Sequence, residues 1–255
     1  MSFLPKSKIL SRKSMSKLCR NVYSNIQRKF FSAKTTDDST IDNFEEALSL
    51  RSTWEKFHKE KCYFEWLVDP LSIHGYLMQH ILSYAKCSSA VNILEIGCGT
   101  SSLSLNLFRS IQDYPVKIIA IDYAKSAVEN MSEQYKIDTT GGHESSKFEI
   151  LEADAGNLPF RDNSIDLVID KGTVDSVLKD RRNGTKMARD ISIETLRVLK
   201  CGGHFCQITD EDPELRIGLW DSFKLYSSYK WQINYKVLSE NLYAENFMYS
   251  ICKLK

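Results

Sequence analysis

The chain has 255 residues, of which 42% are hydrophobic and 26% charged, and its formal net charge is +1. This apolar content can bury a core and excludes disorder over the whole length, while the size suits one large domain or two small ones. No stretch approaches the ~18 consecutive apolar residues of a membrane-spanning helix. Seven scattered cysteines without a C-x-x-C pair favour reduced thiols and predict no metal site.

The first 36 residues differ in charge from the rest of the chain. They contain nine basic residues, seven serines and no acidic residue, so that the remainder holds 25 basic residues against 33 acidic ones. A basic, serine-rich amphipathic segment is typical of a mitochondrial transit peptide, because the membrane potential attracts its cationic face. We therefore predict a transit peptide at 1–36 and a mitochondrial matrix location. A disordered basic arm that binds nucleic acid, or nothing, is the alternative, although the acidic remainder argues against nucleic acid as a main partner.

Two helices are predicted next, over Ile41 to Lys61 and Leu71 to Lys86, and we assign 37–90 to an N-terminal helical cover. From residue 91 onward, short apolar runs alternate with helical stretches. The predicted strands are Val91–Ile96, Lys117–Asp122, Phe148–Ala153, Ile165–Asp170, His204–Thr209, Trp231–Ser239 and Glu245–Leu254. The predicted helices between them are Thr100–Gln112, Ser126–Tyr135 and Thr185–Leu199, the last one ending at glycines 202 and 203.

This alternation predicts an α/β domain at 91–255. Its core is a doubly wound, seven-stranded, mostly parallel Rossmann-like sheet with an antiparallel C-terminal hairpin. Ligands of such sheets bind at the carboxyl ends of the strands, where the strand order reverses.

Two motifs fall at that edge. Glu95-Ile-Gly97-Cys-Gly99-Thr100 joins the first strand to its helix, where glycines let the backbone approach a ligand. Asp122 ends the second strand and can bind both hydroxyls of a ribose. Together they fit either a nicotinamide dinucleotide or S-adenosylmethionine. The dinucleotide motif G-x-G-x-x-G has a third glycine where this sequence has Ser102, which disfavours a nicotinamide dinucleotide. Glu95 favours S-adenosylmethionine, because a carboxylate there can bind its cationic aminopropyl end.

The sequence resembles the seven-strand S-adenosylmethionine-dependent methyltransferases. The segments that carry the resemblance are 94–104, 121–126, 152–158 and 170–175. Upstream, Trp54-Glu-Lys-Phe-His58 and Phe64-Glu-Trp-Leu67 are similar to the cofactor cover of the protein-lysine methyltransferases related to those that act on elongation factor 1A. Thr209-Asp-Glu-Asp-Pro-Glu-Leu-Arg216 is similar to a narrower family, the mitochondrial citrate synthase–lysine N-methyltransferases.

The resemblance implies a protein-lysine N-methyltransferase that uses S-adenosyl-L-methionine, with citrate synthase as its protein substrate and no insertion into a membrane. It places the methionine end of the cofactor at Gly97 and Gly99, the ribose at Asp122, and the adenine at Tyr123 and Asp154. The full set of cofactor-binding residues that it implies is Trp54, His58, Trp66, Gly97, Gly99, Asp122, Tyr123, Asp154, Ala155 and Lys171.

Methyl transfer to a lysine needs a neutral, aligned amine, which carboxylates can hold while its proton leaves through water. Placement after the fourth and fifth strands makes these the candidates for positioning the amine: Asp170, Asp175, Asp210, Glu211 and Asp212. Three alternatives stay open: a methyltransferase of the same fold acting on another protein, one acting on a small molecule, and a non-catalytic assembly factor. An NAD-dependent oxidoreductase is disfavoured by Ser102.

Overall fold

The computed structural model describes residues 46–60, 65–137, 141–241 and 244–255. The predicted transit peptide and the first part of the helix predicted from Ile41 lie outside these ranges. The described helices before the sheet are α1 (Arg51–Lys59) and α2 (Pro70–Ala85). Helix α2 begins where the sequence favours a start, because Asp69 accepts a hydrogen bond from the Leu71 N–H at 2.8 Å and Pro70 occupies the first helical position.

The centre of the fold is one seven-stranded sheet in the order β3-β2-β1-β4-β5-β7-β6. The strands are β1 (Val91–Ile96), β2 (Val116–Asp122), β3 (Lys147–Glu152), β4 (Ile165–Lys171), β5 (Leu199–Thr209), β6 (Trp231–Asn241) and β7 (Ala244–Lys253). Strands β1 to β5 are parallel, and β7 runs antiparallel to both neighbours, β5 and β6. This confirms the predicted mostly parallel sheet with an antiparallel C-terminal hairpin.

Helices cover both faces of the sheet. They are α3 (Leu103–Ser110), α4 (Lys125–Ile137), α5 (Thr173–Val177), α6 (Gly184–Val198) and α7 (Pro213–Phe223). One hydrophobic cluster joins α2, α3 and α4 to one face, and a second joins α5, α6 and α7 to the other. Successive residues of β1 point alternately into the two clusters, so the central strands are buried on both faces. Strands buried on both faces require continuous apolar runs, which the sequence has.

The sheet brings the predicted motifs to one edge. The pairing of Ile96 with Ile121 and with Asp170 places the carboxyl ends of β1, β2 and β4 side by side. Strand order reverses between β1 and β4, so the loops that follow these strands open onto the crevice where ligands bind in this fold. Among the described residues, no helix is both long enough and apolar enough to cross a bilayer.

The structure differs from the predicted elements before β5 and in two additional helices. The helix predicted to end near a glycine cap ends at Val198, and the chain enters β5 directly. Gly202 lies inside β5 and adopts φ +81°. The register of β5 against β4 shifts between Leu199 and His204, so this glycine allows a bulge in the strand and does not cap the helix. Helices α5 and α7 were not predicted.

Candidate active site

A cavity of about 410 Å³ lies at the carboxyl edge of the sheet. All ten residues predicted to bind the cofactor line it, from Trp54 in α1 to Lys171 at the end of β4. Two of the five candidate carboxylates, Asp175 and Asp210, also line it, whereas Asp170, Glu211 and Asp212 do not.

The glycine loop after β1 is closely packed. Gly97 and Gly99 adopt φ of +59° and +53°, which favours glycine. A Cβ atom on Gly97 would lie 2.8 Å from Cγ2 and 2.9 Å from Cβ of Thr173, and closer still to Oγ1. The Thr173 hydroxyl donates to the carbonyl of Ile96 at 3.0 Å, so this side chain cannot easily move aside. Position 97 therefore needs a residue without a Cβ, and we call this closely packed loop, 97–99, the glycine cradle.

Glu65 connects the N-terminal segment to this loop through hydrogen bonds. Its carboxylate accepts from the Ser102 N–H at 2.7 Å, the Ser101 hydroxyl at 2.8 Å and Nζ of Lys171 at 3.1 Å. Burial alone would raise the pKa of Glu65, but Lys171 and these hydrogen bonds lower it. The Lys171 side chain is 3% exposed and also donates to the Trp66 carbonyl at 3.2 Å. Lys171 thus lines the cavity with its ammonium group committed to Glu65, a partner that sequence reasoning missed.

Asp122 is buried at the end of β2 and supports the loop on its other side. Its Oδ2 accepts from the Gly99 N–H at 2.9 Å and its Oδ1 from the Ala124 N–H at 2.7 Å. Burial raises the pKa of Asp122 to about 6. Each carboxylate oxygen retains a second lone pair, so the group can also accept from two hydroxyls of a ligand.

An aromatic wall closes one side of the cavity. The rings of Trp54 and Trp66 pack edge to face at 5.5 Å, and the ring of His58 stacks on Trp54 at 6.1 Å. Nδ1 of His58 is buried and has no hydrogen-bond partner within the described part of the chain. Burial lowers the pKa of His58 to about 4, so the imidazole is neutral at pH 7.

Helix α1 is held in place over this edge by α4. The Glu55 carboxylate accepts from the N–H groups of Lys125 at 2.8 Å and Ser126 at 3.1 Å, which caps the start of α4. Nδ2 of Asn130 donates to the His58 carbonyl at 2.7 Å. These contacts fix the aromatic wall relative to the sheet.

The loops after β2 and β3 supply a further wall. Tyr123 follows Asp122, and Oδ1 of Asp154 accepts from the Gly156 N–H at 2.8 Å. Ala155, the residue after Asp154, is buried, and Met187 and Ile191 of α6 add apolar surface to the cavity. This part of the cavity therefore combines apolar surface with the Asp154 carboxylate, a lining suited to a flat ring that carries an amino group.

The five candidate carboxylates divide by the direction of their side chains. Asp170 turns into the protein, where its Oδ1 accepts from the Thr173 N–H at 2.8 Å, and burial together with Asp175 raises its pKa to about 6. The side chain of Glu211 lies off the cavity, and its backbone carbonyl accepts from the Tyr249 hydroxyl at 2.8 Å. Asp212 caps α7 by accepting from the Glu214 N–H at 2.8 Å. Asp175 and Asp210 remain as the carboxylates that a ligand can reach.

Glu95 is the most deeply buried acid of the cavity wall, with 1% of its surface exposed. The Ser104 hydroxyl donates to its Oε2. Burial raises the pKa of Glu95 to about 7, far above its ordinary value of 4.5. A carboxylate held in this way gains most from a cationic ligand that restores its lost solvation.

Comparison with known proteins identifies the family. Residues 87–249 match the family model described as a methyltransferase domain. The chain is 30% identical over 203 residues to human mitochondrial citrate synthase-lysine N-methyltransferase, an alignment that covers 75% of this chain and 81% of that protein. It is 32% identical over 160 residues to the eEF1A lysine and N-terminal methyltransferase of Bos taurus, covering 61% of this chain and 21% of the other.

A solved structure shares the fold. Magnesium protoporphyrin IX methyltransferase from Synechocystis PCC 6803, solved with bound S-adenosylmethionine, superposes with a TM-score of 0.52 at 12% identity and covers 86% of this chain and 99% of that one. The glycine cradle and the carboxylates of Glu95 and Asp122 line one cavity, and their chemistry fits an amino acid joined to a ribose. The chain belongs to the S-adenosylmethionine-dependent methyltransferases, in the family that includes the mitochondrial citrate synthase-lysine N-methyltransferases.

Proposed function

We propose that this chain transfers methyl groups from S-adenosylmethionine to a lysine of citrate synthase in mitochondria. The observation that carries the proposal is the similarity to the human citrate synthase-lysine N-methyltransferase over 81% of its length. The geometry supports an amine acceptor, because Asp175 and Asp210 line the same cavity as the residues assigned to the cofactor.

The proposed cofactor contacts follow from the cavity wall. Gly97, Gly99 and Glu95 would hold the amino-acid end, Asp122 the ribose, and Tyr123 with Asp154 the adenine. When bound, S-adenosylmethionine supplies an electrophilic methyl group on a positively charged sulfur. Neutral His58 adds no second positive charge to the aromatic wall. This wall and the cover helix α1 keep water away from the reacting groups.

The acceptor lysine arrives as an ammonium group with an ordinary pKa of ~10.4 and must lose a proton before attack. Asp175 and Asp210 would orient it by accepting its hydrogen bonds, and the proton would leave to water along the acidic end of the cavity. Alignment of the amine with the methyl group then supplies most of the rate enhancement, since no strong base is needed.

Cofactor affinity is expected to weaken as the pH falls from 7.5 to 6. The raised pKa of Glu95, about 7, means that the cofactor-free protein takes up a proton at this carboxylate over that range, and this proton competes with the cofactor ammonium. One pH unit below its pKa, the carboxylate is about 10% ionised, which implies about tenfold weaker binding. Stability has the opposite sign: protonated Glu95 stabilises the cofactor-free protein below its ordinary pKa of 4.5, and this contribution is lost as the pH rises through about 7. Isothermal titration calorimetry at pH 6, 6.5, 7 and 7.5 measures the affinity.

The Glu95→Gln variant is the control for this pH dependence. It should bind the cofactor more weakly at pH 7.5 and lose most of the change with pH, leaving the smaller part due to Asp122, whose pKa of about 6 acts in the same direction. An affinity that changes with pH as steeply in Glu95→Gln as in the unmodified protein would remove Glu95 from the site.

The remaining assignments are also part of this proposal: a transit peptide at 1–36, an N-terminal cover at 37–90 and the methyltransferase domain at 91–255. The docking of α1 on α4 supports the role of the cover. Deletion of 1–36 should move the protein from mitochondria to the cytosol without loss of transfer in vitro. Continued mitochondrial import of the shortened protein would contradict the transit peptide.

A second candidate function is methylation of another protein, which the similarity to the eEF1A lysine and N-terminal methyltransferase favours. The two are separated by incubating the protein lacking 1–36 with labelled S-adenosylmethionine and a mitochondrial or a cytosolic extract. We expect one labelled mitochondrial band at the size of citrate synthase. Label only in cytosolic bands would favour the second candidate, and label only in small molecules would overturn both.

A further inference from the structure

A buried arginine lies behind the acidic end of the cavity. Arg216 is in the first turn of α7, and 1% of its side chain is exposed. Its Nη2 donates to Oδ1 of Asp175 and, at 3.1 Å, to the hydroxyl of Thr209, the last residue of β5. Burial of a guanidinium is costly, so an arginine in this position needs charged partners to be tolerated.

Four carboxylates surround this one guanidinium. They come from the end of β4 (Asp170), from α5 (Asp175) and from the segment between β5 and α7 (Asp210 and Glu211). Lys179 also interacts electrostatically with Asp210, and Tyr249 on β7 interacts with Arg216. Burial alone would lower the pKa of Arg216, but Asp175 and Asp170 raise it, so the guanidinium stays charged.

The hydrogen bonding of the pair is incomplete. Oδ1 of Asp175 is occupied by Arg216, whereas Oδ2 is buried and finds no partner among the residues that the structure describes. Nε and Nη1 of Arg216 are likewise without a partner there. Asp175 lines the cavity and 22% of its side chain is exposed, so a small shift of the carboxylate brings this unpaired oxygen within reach of a ligand.

We propose that Arg216 is a positioning residue for the acceptor amine: it binds Oδ1 of Asp175 and so orients that carboxylate for Oδ2 to accept a hydrogen bond from the amine. This inference rests on the proposed amine acceptor. Arg216 touches neither cofactor nor substrate and acts through Asp175. Its charge also limits the repulsion among the four carboxylates, which would otherwise favour protonation of one of them.

A double-mutant cycle tests the proposal. The variants are Arg216→Gln, Asp175→Asn and their combination, each assayed for transfer to citrate synthase and for cofactor affinity. Each single change should lower kcat/KM for the acceptor about 10- to 100-fold and leave the cofactor Kd within about twofold, and the double variant should be no worse than the more damaged single one. Multiplying effects, or an equal loss of cofactor affinity, would overturn the proposal.

A conservative variant keeps the test decisive if Arg216→Gln does not fold. Arg216→Lys retains the charge without the planar fork and should recover part of the activity, and its cycle with Asp175→Asn should show the same non-additivity. Loss of Arg216 should also move the acid limb of the transfer–pH profile to higher pH, because the Arg216 charge lowers the pKa of Asp170, Asp210 and Glu211. A profile in Arg216→Gln that matches that of the charge-retaining Arg216→Lys would contradict this.

A probe independent of citrate synthase separates this inference from the proposed function. Binding of n-butylammonium to the protein saturated with S-adenosylhomocysteine can be followed by NMR titration. We expect at least about fivefold weaker binding in Arg216→Lys and Asp175→Asn than in the unmodified protein. Equal binding in all three overturns the role of Arg216, whereas the proposed function fails only if the unmodified protein transfers no methyl group to a lysine of citrate synthase.

Arg197→Gln is the matched control. Arg197 forms ion pairs with Glu194 and Asp162 and donates to the carbonyls of Leu158 and Phe160, near the amino end of β4. Its loss should lower the melting temperature and leave n-butylammonium binding unchanged. A drop in amine binding as large as that of the Arg216 variants would assign both effects to general destabilisation.

Discussion

Replacing Gly97 by alanine is expected to weaken cofactor binding by at least ~100-fold. The added Cβ would fall within 3 Å of three atoms of the Thr173 side chain, which its hydrogen bond to Ile96 holds in place. The φ of +59° adds a backbone cost of about 1–2 kcal/mol for a residue with a Cβ. Relief of the clash must displace the glycine loop or Thr173, and both border the cavity. Calorimetry with S-adenosylhomocysteine measures the effect.

Gly202→Ala is the matched control for Gly97→Ala. Gly202 also has a positive φ, +81°, but a Cβ there would meet no atom within 4 Å, and the residue lies in β5 outside the cavity lining. This variant should lose some stability and keep its affinity for the cofactor. Near-normal binding by Gly97→Ala would show that the loop is not the cradle described above.

Replacing Asp122 by alanine is the second change with a large expected effect. It removes the proposed acceptors for two ribose hydroxyls and also leaves the N–H groups of Gly99 and Ala124 without their partner. Hydrogen bonds to a charged group are worth about 1.5–3 kcal/mol each, so the loss of two predicts a cofactor Kd raised by at least ~100-fold. Because burial of this carboxylate is costly, as its pKa of about 6 indicates, the melting temperature without cofactor should change much less than the affinity.

Asp166→Asn provides the comparison for Asp122→Ala. Asp166 is also buried, accepts from the Asn92 N–H at 2.9 Å and pairs with Lys200 at 2.8 Å, but it stands near the amino end of β4. Its replacement should lower stability and leave cofactor affinity unchanged. Equal losses of affinity in the two variants would mean that Asp122 acts through folding alone.

The sheet could be predicted from the sequence because its central strands leave a strong pattern. Burial on both faces requires unbroken apolar runs in β1, β2 and β4, and the motif residues at their ends then meet at one edge. Helix α7 was missed although its buried residues, Arg216, Trp220 and Phe223, follow helical spacing. A charged arginine at a core position breaks the apolar pattern by which a buried helix face is predicted. The sequence Asp212-Pro213 nevertheless indicates a helix start.

The sequence predicts most of the residues that form the site, but not which of them contact each other. Placement after a strand correctly brings carboxylates to the edge of the sheet, yet it does not say which way each one points, and Asp170 and Glu211 turn away from the cavity. The pairing of Glu65 with Lys171 joins residues 106 positions apart, and that of Arg216 with Asp175 joins residues 41 apart. Such contacts depend on tertiary packing, for which local pattern gives no signal.

The most direct test of the proposed function is to map methyl groups on citrate synthase. Purified citrate synthase from the same organism is incubated with S-adenosylmethionine and the protein lacking 1–36, and its peptides are analysed by mass spectrometry. We predict a methylated lysine with the unmodified enzyme and with Asp166→Asn, and none with Asp122→Ala or Gly97→Ala. An enzyme that binds the cofactor normally and leaves every lysine of citrate synthase unmethylated would contradict the proposed function.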